Sequence, residues 1–292
     1  MGLTGTLDDA RRFYAEEIRA VSDIRGDALI EALARVPREA FLGPGPWRIV
    51  RTRPLAIGAA DVSYRMTTDA DPRRLYHNVL VAIDPERKLN NGQPSALLAW
   101  IDALDPKPGD RVLHVGAGVG YYTAIIAEAI GNTGSVIAIE ADAELAERAR
   151  ANLAAWPNVR VITGDGATYD PGAFDAGFIN CGATTLMPSW LDNLAVGGRV
   201  HVPMTSDTIK YGAMLLVHRI DGERWRARFT SGVAIYPCSG ARDDDTNAAL
   251  TELFKKHQAA KVQSLRRDDH AADETCLMHR SEFCLSQLPP AR

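Results

Sequence analysis

The chain reads as a doubly wound α/β protein with a mostly parallel sheet of seven strands and an antiparallel hairpin at its edge. Three observations predict this. Between Arg111 and Glu140 an apolar run of strand length meets three glycines, then a helix-like segment, then a second apolar run that stops on an acid. That is one strand–turn–helix–strand unit. Strand-like and helix-like segments go on alternating as far as Pro203, which implies parallel strands with helices on both faces. Beyond it, two strand-like runs flank Asp221-Gly222, a hairpin signal.

Taken in order, residues 7–41 read as helical. Leu7, Phe13, Ile18 and Val21, then Leu29, Leu33 and Val36 after a break at Gly26, recur largely at helical spacing. Pro37 and the GPGP cluster at 43–46 end the pattern. Residues 47–64 read as irregular, with Arg48, Arg51 and Arg53 as solvated cations. Residues 68–83 turn at Asp71-Pro72 and become apolar. Residues 89–104 are a polar turn and a helix opened by Pro94, whose missing N–H costs nothing in a first turn. Strands are expected over 112–115, 136–139, 159–163, 174–180 and 200–203, and helices over 122–130, 143–153 and 186–194. The hairpin takes 214–220 and 226–235. A helix over 247–265 follows the acids Asp243, Asp244 and Asp245, which suit its positive end, and 274–287 reads as one last strand. The expected organisation is a helical cap and substrate-side segment (1–105), a ligand-binding core (106–238) and a C-terminal extension (239–292).

Composition narrows the function. The chain has 292 residues, 46% hydrophobic, enough for a full core. A net charge of −4 with no long basic run argues against nucleic acid or an anionic membrane as partner. The start lacks the apolar core of a signal peptide, and no stretch approaches eighteen consecutive apolar residues. Gly2 and Thr6 formally match a myristoylation pattern, a short and common match that is discounted. The four cysteines, Cys181, Cys238, Cys276 and Cys284, are far apart and fit no zinc pattern. They read as thiols in a reducing compartment, with a cytoplasmic location and no metal expected.

In open parallel sheets, ligands bind beyond the carboxyl ends of the strands. Those ends supply Gly116, Gly118 and Gly120 after the first strand, Glu140 after the second, Gly164-Asp165-Gly166 after the third and Asn180-Cys181-Gly182 after the fourth. Glycines permit positive φ and let a ligand press on bare main chain. Glu140 stands where a carboxylate accepts from ribose hydroxyls. The spacing is G-x-G-x-G followed by Tyr121 and Tyr122, one residue shorter than the dinucleotide G-x-G-x-x-G. It suits a nucleoside without phosphates, of which S-adenosylmethionine is the commonest, and disfavours a nicotinamide-dependent oxidoreductase. Asp165 between two glycines suits an acceptor for the adenine amine; its alternative is a turn or N-cap aspartate. Cys181 reads as a buried thiol.

Together the glycine loop, Glu140, the GDG at 164–166 and LAVGGRVHVPM at 194–204 resemble the class I S-adenosylmethionine methyltransferases, a Rossmann-like fold. More narrowly the chain resembles the protein-L-isoaspartate O-methyltransferase family, through VLHVGAGVGYYTA, ARVPREAFLGP, NGQPSALLAWIDAL and DGERWRARFTSGVAIYPC. The resemblance covers about residues 29–238. It implies an O-methyltransferase that esterifies a carboxylate of a peptide or protein, isoaspartyl or aspartyl. The implied cofactor residues are His114, Gly116, Gly118, Gly120, Glu140, Asp165, Gly166 and Asn180. Two departures stand out. His114 occupies a position where the family usually has an acid, and it reads either as a cofactor neighbour or as a core histidine. The family's Ser-x-Pro is Gly92-Gln93-Pro94 here. Asn90, Asn91, Gln93 or Ser95 would take over the serine's hydrogen bonding, with Asn91 and Gln93 as the expected catalytic positions.

The chemistry tolerates that loss. A carboxylate acceptor, with a pKa near about 4, is already ionised at neutral pH and needs no general base. Holding it in line with the carbon–sulfur bond, away from water, supplies the acceleration. An amine or phenol acceptor would call for a base, with His77, His114 and His201 as candidates. The alternatives are a module that holds the cofactor without turnover and a small-molecule methyltransferase. If Gly92 marks the missing hydroxyl, Gly92→Ser should raise activity on isoaspartyl peptides.

Overall fold

The computed structural model describes residues 5–51 and 63–290; Gly2 and Arg53 lie outside them. One mixed sheet of ten strands organises the chain. We number them β1 (Arg111–Val115), β2 (Ser135–Glu140), β3 (Val159–Thr163), β4 (Phe174–Ile179), β5 (Leu194–Thr205), β6 (Gly212–Arg219), β7 (Trp225–Val233), β8 (Ser264–Arg266), β9 (Cys276–His279) and β10 (Cys284–Ser286). Their spatial order is β3-β2-β1-β4-β5-β6-β7-β8-β10-β9. The five strands from β3 to β5 are parallel, and from β5 to β9 every neighbour is antiparallel. The expected count of seven is thus corrected to ten, because residues after 238 add three strands to the hairpin edge.

Among the described residues seven α-helices pack around the sheet: α1 (Leu7–Ser22), α2 (Asp27–Arg35), α3 (Pro94–Asp102), α4 (Tyr121–Ile130), α5 (Ala143–Asn152), α6 (Pro188–Asp192) and α7 (Asp244–Lys255). Side chains of one strand point alternately to opposite faces, so a sheet covered on both sides needs two cores. Val112, Ala176 and Phe178 join α1–α4 in the first. Leu113, Val115, Ile179 and Val200 join α6 and α7 in the second. Local chemistry sets the helix starts. Thr6 and Asp9 exchange hydrogen bonds in a capping box before α1, Asp142 accepts from the amides of Glu144 and Leu145 at α5, and Asp243 accepts from the Thr246 amide at α7.

Two C-terminal expectations are corrected. The helix expected over 247–265 stops at Lys255, because His257 turns left-handed (φ 52°) and Leu265 is needed in β8 opposite Trp225. The single strand expected over 274–287 is a hairpin, β9 and β10, closed where the Arg280 amide donates to the Phe283 carbonyl. The sequence gives no Gly, Pro or Asn at that turn. The helix expected over 186–194 is only the five residues of α6.

The stretch 75–91 hangs on one buried cation. Arg38 is fully buried and donates to the carbonyls of Leu75 (2.6 Å), His77 (2.9 Å) and Val79 (2.7 Å) and to Asn91 Oδ1 (3.4 Å). A buried charge is costly unless its donors are satisfied; here both terminal nitrogens are bonded and Nε is left without a partner. Arg38→Met removes these donors and strands three carbonyls; the expected loss is about 3 kcal/mol, read as a fall in Tm of several degrees by calorimetry.

Candidate active site at the strand tips

A cavity of about 560 Å³ opens across the carboxyl ends of β1, β2, β3 and β4. Its floor is bare main chain. Gly116 (φ 77°), Gly118 (φ 57°) and Gly120 (φ 91°) all take left-handed conformations between β1 and α4. A Cβ on Gly116 would lie 2.9 Å from the Asn180 carbonyl, and one on Gly120 2.8 Å from Leu153. Gly118 and Gly164 have nothing within 4 Å on that side, so their faces are open. Gly166 is tight for another reason: a Cβ would lie 2.3 Å from Val115.

The Glu140 carboxylate holds the loop. Oε2 accepts from the Gly118 amide (2.7 Å) and Oε1 from the Asp142 amide (3.0 Å). A carboxylate has about four acceptor positions, so each oxygen keeps one for a ligand. Asp165 Oδ1 accepts from the Ala167 amide (2.9 Å), an Asx turn. Its other oxygen presses on the backbone of Gly240, where a Cβ would lie 1.8 Å away. Asn180 Nδ2 donates to the Gly116 carbonyl (3.2 Å). Trp190 Nε1 donates to the Gly166 carbonyl (2.8 Å), fixing the acidic loop on α6.

The opposite wall comes from residues 80–100 and from the end of β7. Asn91 is buried; its Oδ1 accepts from the Val81 amide (3.0 Å), while its Nδ2 has no partner. Gln93 lines the cavity just before α3, and its side chain makes no cap hydrogen bond. Residues 234–239 close the wall. They are fixed where Gly182 N–H donates to the Tyr236 carbonyl (2.7 Å), Cys238 N–H to the Gly182 carbonyl (2.8 Å) and the Tyr236 hydroxyl to the Lys88 carbonyl. Sequence reasoning took residues 235–238 only as the end of the closing hairpin and placed neither them nor Gly240 at the cavity. The run IYPC directly after the second hairpin strand was the available signal. Cys181 lies on the wall beside Cys238; the thiol–thiol contact, with burial, pushes Cys181 up and keeps it protonated.

Of the residues expected at the cofactor, Gly116, Gly118, Glu140, Asp165, Gly166 and Asn180 line this cavity, as do Asn91 and Gln93. Gly120 stands behind it as the N-cap of α4. His114 is a correction. It is fully buried inside β1, stacks on Phe178 and shares a hydrogen bond with Thr123 Oγ1 of α4 (2.9 Å); burial lowers its pKa to about 3. It is a neutral core histidine that does not reach the cavity. His201 is likewise buried, held by the Trp100 carbonyl and Thr230, with its pKa lowered to about 4 by burial. His77 is exposed and outside the cavity.

The family description "Protein-L-isoaspartate(D-aspartate) O-methyltransferase (PCMT)" matches residues 14–238. This chain belongs to that family. It is an S-adenosylmethionine-dependent O-methyltransferase. Protein-L-isoaspartate O-methyltransferase 2 of Archaeoglobus fulgidus is 34% identical over 240 residues, 80% of this chain and 94% of that one. The enzyme of Methanothermobacter thermautotrophicus is 28% identical over 236 residues, 80% and 96% of the two chains. Among solved structures, a Plasmodium falciparum protein described as a putative protein-L-isoaspartate O-methyltransferase, in complex with S-adenosyl-L-homocysteine, superposes with a TM-score of 0.60 at 18% identity, covering 79% of this chain and 98% of that one. The strand-tip cavity has open glycine faces and spare carboxylate acceptors of a kind that fit an adenosyl ligand.

Two outcomes follow for the wall. Gly92 has φ 74°, and a Cβ there would lie 2.8 Å from Leu97. Gly92→Ser is therefore strained, by about 1 kcal/mol or more. The gain expected from restoring a serine is replaced by a lower Tm with no rise in activity on isoaspartyl peptides. Gly240→Ala collides only with the end of the Asp165 side chain, so it should leave Tm nearly unchanged yet weaken S-adenosylhomocysteine about tenfold, measurable by titration calorimetry.

Proposed function

We propose that this enzyme esterifies the side-chain carboxylate of an isoaspartyl or aspartyl residue in a peptide or protein. One observation carries the reading: the cavity joins the glycine loop to the buried, unpartnered Nδ2 of Asn91, and among the described residues no histidine or lysine lines it. An unpartnered buried donor is costly unless a ligand satisfies it. A wall with amide donors and no base suits an acceptor that is already an anion. An amine acceptor would need its proton removed, and no cavity side chain is placed to do so.

When bound, S-adenosylmethionine supplies a methyl group on a positively charged sulfur. Glu140 would accept from its ribose hydroxyls with the two free acceptor positions, and Asp165 from the adenine amine. Asn180 holds the turn at Gly116 in place through its side-chain amide. Asn91 Nδ2 and Gln93 would grip the acceptor carboxylate and leave one oxygen free to attack. Tyr121, Tyr122 and Trp100 line the same wall and exclude water, which keeps the attacking oxygen from losing its place to hydration.

The charge of −4 supports a peptide or protein substrate over nucleic acid. Among the described residues, no helix is long and apolar enough to cross a membrane. We read the location as cytoplasmic. We also read residues 1–105 as the substrate-side segment, 106–238 as the cofactor core and 239–292 as an extension of it.

The test is a labelled methyl donor with isoaspartyl and aspartyl peptides. Base-labile label on a carboxylate is the expected product; base-stable label, or none, would sink the reading. Glu140→Ala should weaken S-adenosylhomocysteine about 10–100-fold, the worth of a charged hydrogen-bonded group. Asn91→Asp keeps the contact to the Val81 amide but removes a donor and adds a charge facing the acceptor. It should lower kcat/KM about 100-fold while cofactor affinity holds.

A further inference from the structure

The residues beyond 238, outside the family match, bring together four side chains that methyl transfer does not use. His270, Cys276, His279 and Cys284 each point one ligand atom into a common space, all four atoms within 4.8 Å of one another. The geometry points to a structural zinc site of Cys2His2 composition that pins the β9–β10 hairpin to the loop before it.

The fold brings them together against their spacing. The order His-x5-Cys-x2-His-x4-Cys follows no paired-cysteine pattern. His279 and Cys284 face each other as antiparallel partners across the hairpin, so their side chains share one face. Cys276 is three residues before His279 and would fall on the opposite face of a regular strand. The register shifts between Cys276 and Met278, a bulge that turns Cys276 back to the same side. His270 arrives from the loop after β8. Its ring packs edge-on against His279, centroids 4.8 Å apart.

The distances and partners suit a metal. Zn–S and Zn–N bonds of about 2.3 and 2.1 Å at tetrahedral angles place sulfur and nitrogen about 3.6 Å apart; Cys276 Sγ and His270 Nε2 are 3.6 Å apart. His270 Nδ1 donates to the Asp268 carbonyl (2.8 Å), which fixes the tautomer with the Nε2 lone pair toward the cluster, the usual outer support of a ligating histidine. The Asp273 amide donates to Cys276 Sγ (3.5 Å), and in the metal-free thiol the same sulfur donates to Asp273 Oδ1 (3.4 Å), an acceptor for the proton that metal binding displaces. His279 Nδ1 is buried with no hydrogen-bond partner, and Cys284 is fully buried. Two thiolates and two imidazoles suit zinc, and four protein ligands fill a tetrahedron with no open position, so the role is structural. On binding, the two thiols release their protons as the sulfurs take the metal. β8, β9 and β10 are only three or four residues long, and a metal cross-link is one way such short strands hold at a sheet edge.

The test uses the full chain, purified under reducing conditions and dialysed with zinc. Elemental analysis should find one zinc per chain. Cobalt in its place should give the intense visible bands of a tetrahedral thiolate site, and strong chelation should lower Tm. Cys276→Ser should weaken zinc at least about 100-fold, as should His270→Asn, which lies in a loop and spares the strands; both should still bind S-adenosylhomocysteine. No zinc retained by the wild-type chain, a weak octahedral cobalt spectrum, or a Cys276–Cys284 disulfide in the reduced native protein would each overturn the site.

Discussion

The Glu140 carboxylate bridging the Gly118 and Asp142 amides is the contact on which the active site depends. It ties the end of β2 to the loop after β1 and to the start of α5. The loop can answer because its glycines take positive φ and carry no side chain. Around this tie, strand tips meet at distances only bare backbone allows, as where Gly116 faces the Asn180 carbonyl. The slot is a product of those approaches, and Glu140 faces it with acceptor positions that the protein leaves unfilled.

The opposite wall obeys a different rule. There a buried guanidinium gathers carbonyls from a segment with little regular structure, and Asn91 spends its oxygen on that framework while its amide remains free. One side chain is thus a strut that still keeps a free donor at the cavity. The missing serine is explained in the same terms: the backbone at Gly92 has a conformation that disfavours any side chain.

Much of this was legible in the sequence, for physical reasons. A strand that ends in glycines and a second that ends in an acid leave few other structures, and Glu140, Asp165 and Asn180 line the cavity as their places at strand ends imply. His114 misled because its chemistry was read without its parity. Two residues after Val112, it shares that residue's face, under α4 and away from the tips. The β9–β10 turn was hidden because Arg280–Phe283 contains no Gly, Pro, Asn or Asp, and Ser281 alone is a weak turn signal. The press of Gly240 on Asp165 depends on a contact distant in sequence, which no local pattern encodes.

The clasp between Gly182 and residues 236–238 has a consequence for how the chain is divided. Just beyond it, Arg242 donates to the Gly182 carbonyl (2.6 Å) and to Thr205 (2.9 Å), and the Thr184 amide donates to the Ala241 carbonyl (2.9 Å). The point where family likeness ends therefore runs through a continuous weave of hydrogen bonds. The residues beyond that match are not hung on as a separable tail: Ser239 lines the strand-tip cavity, and Arg242 is masonry between Gly182 and Thr205.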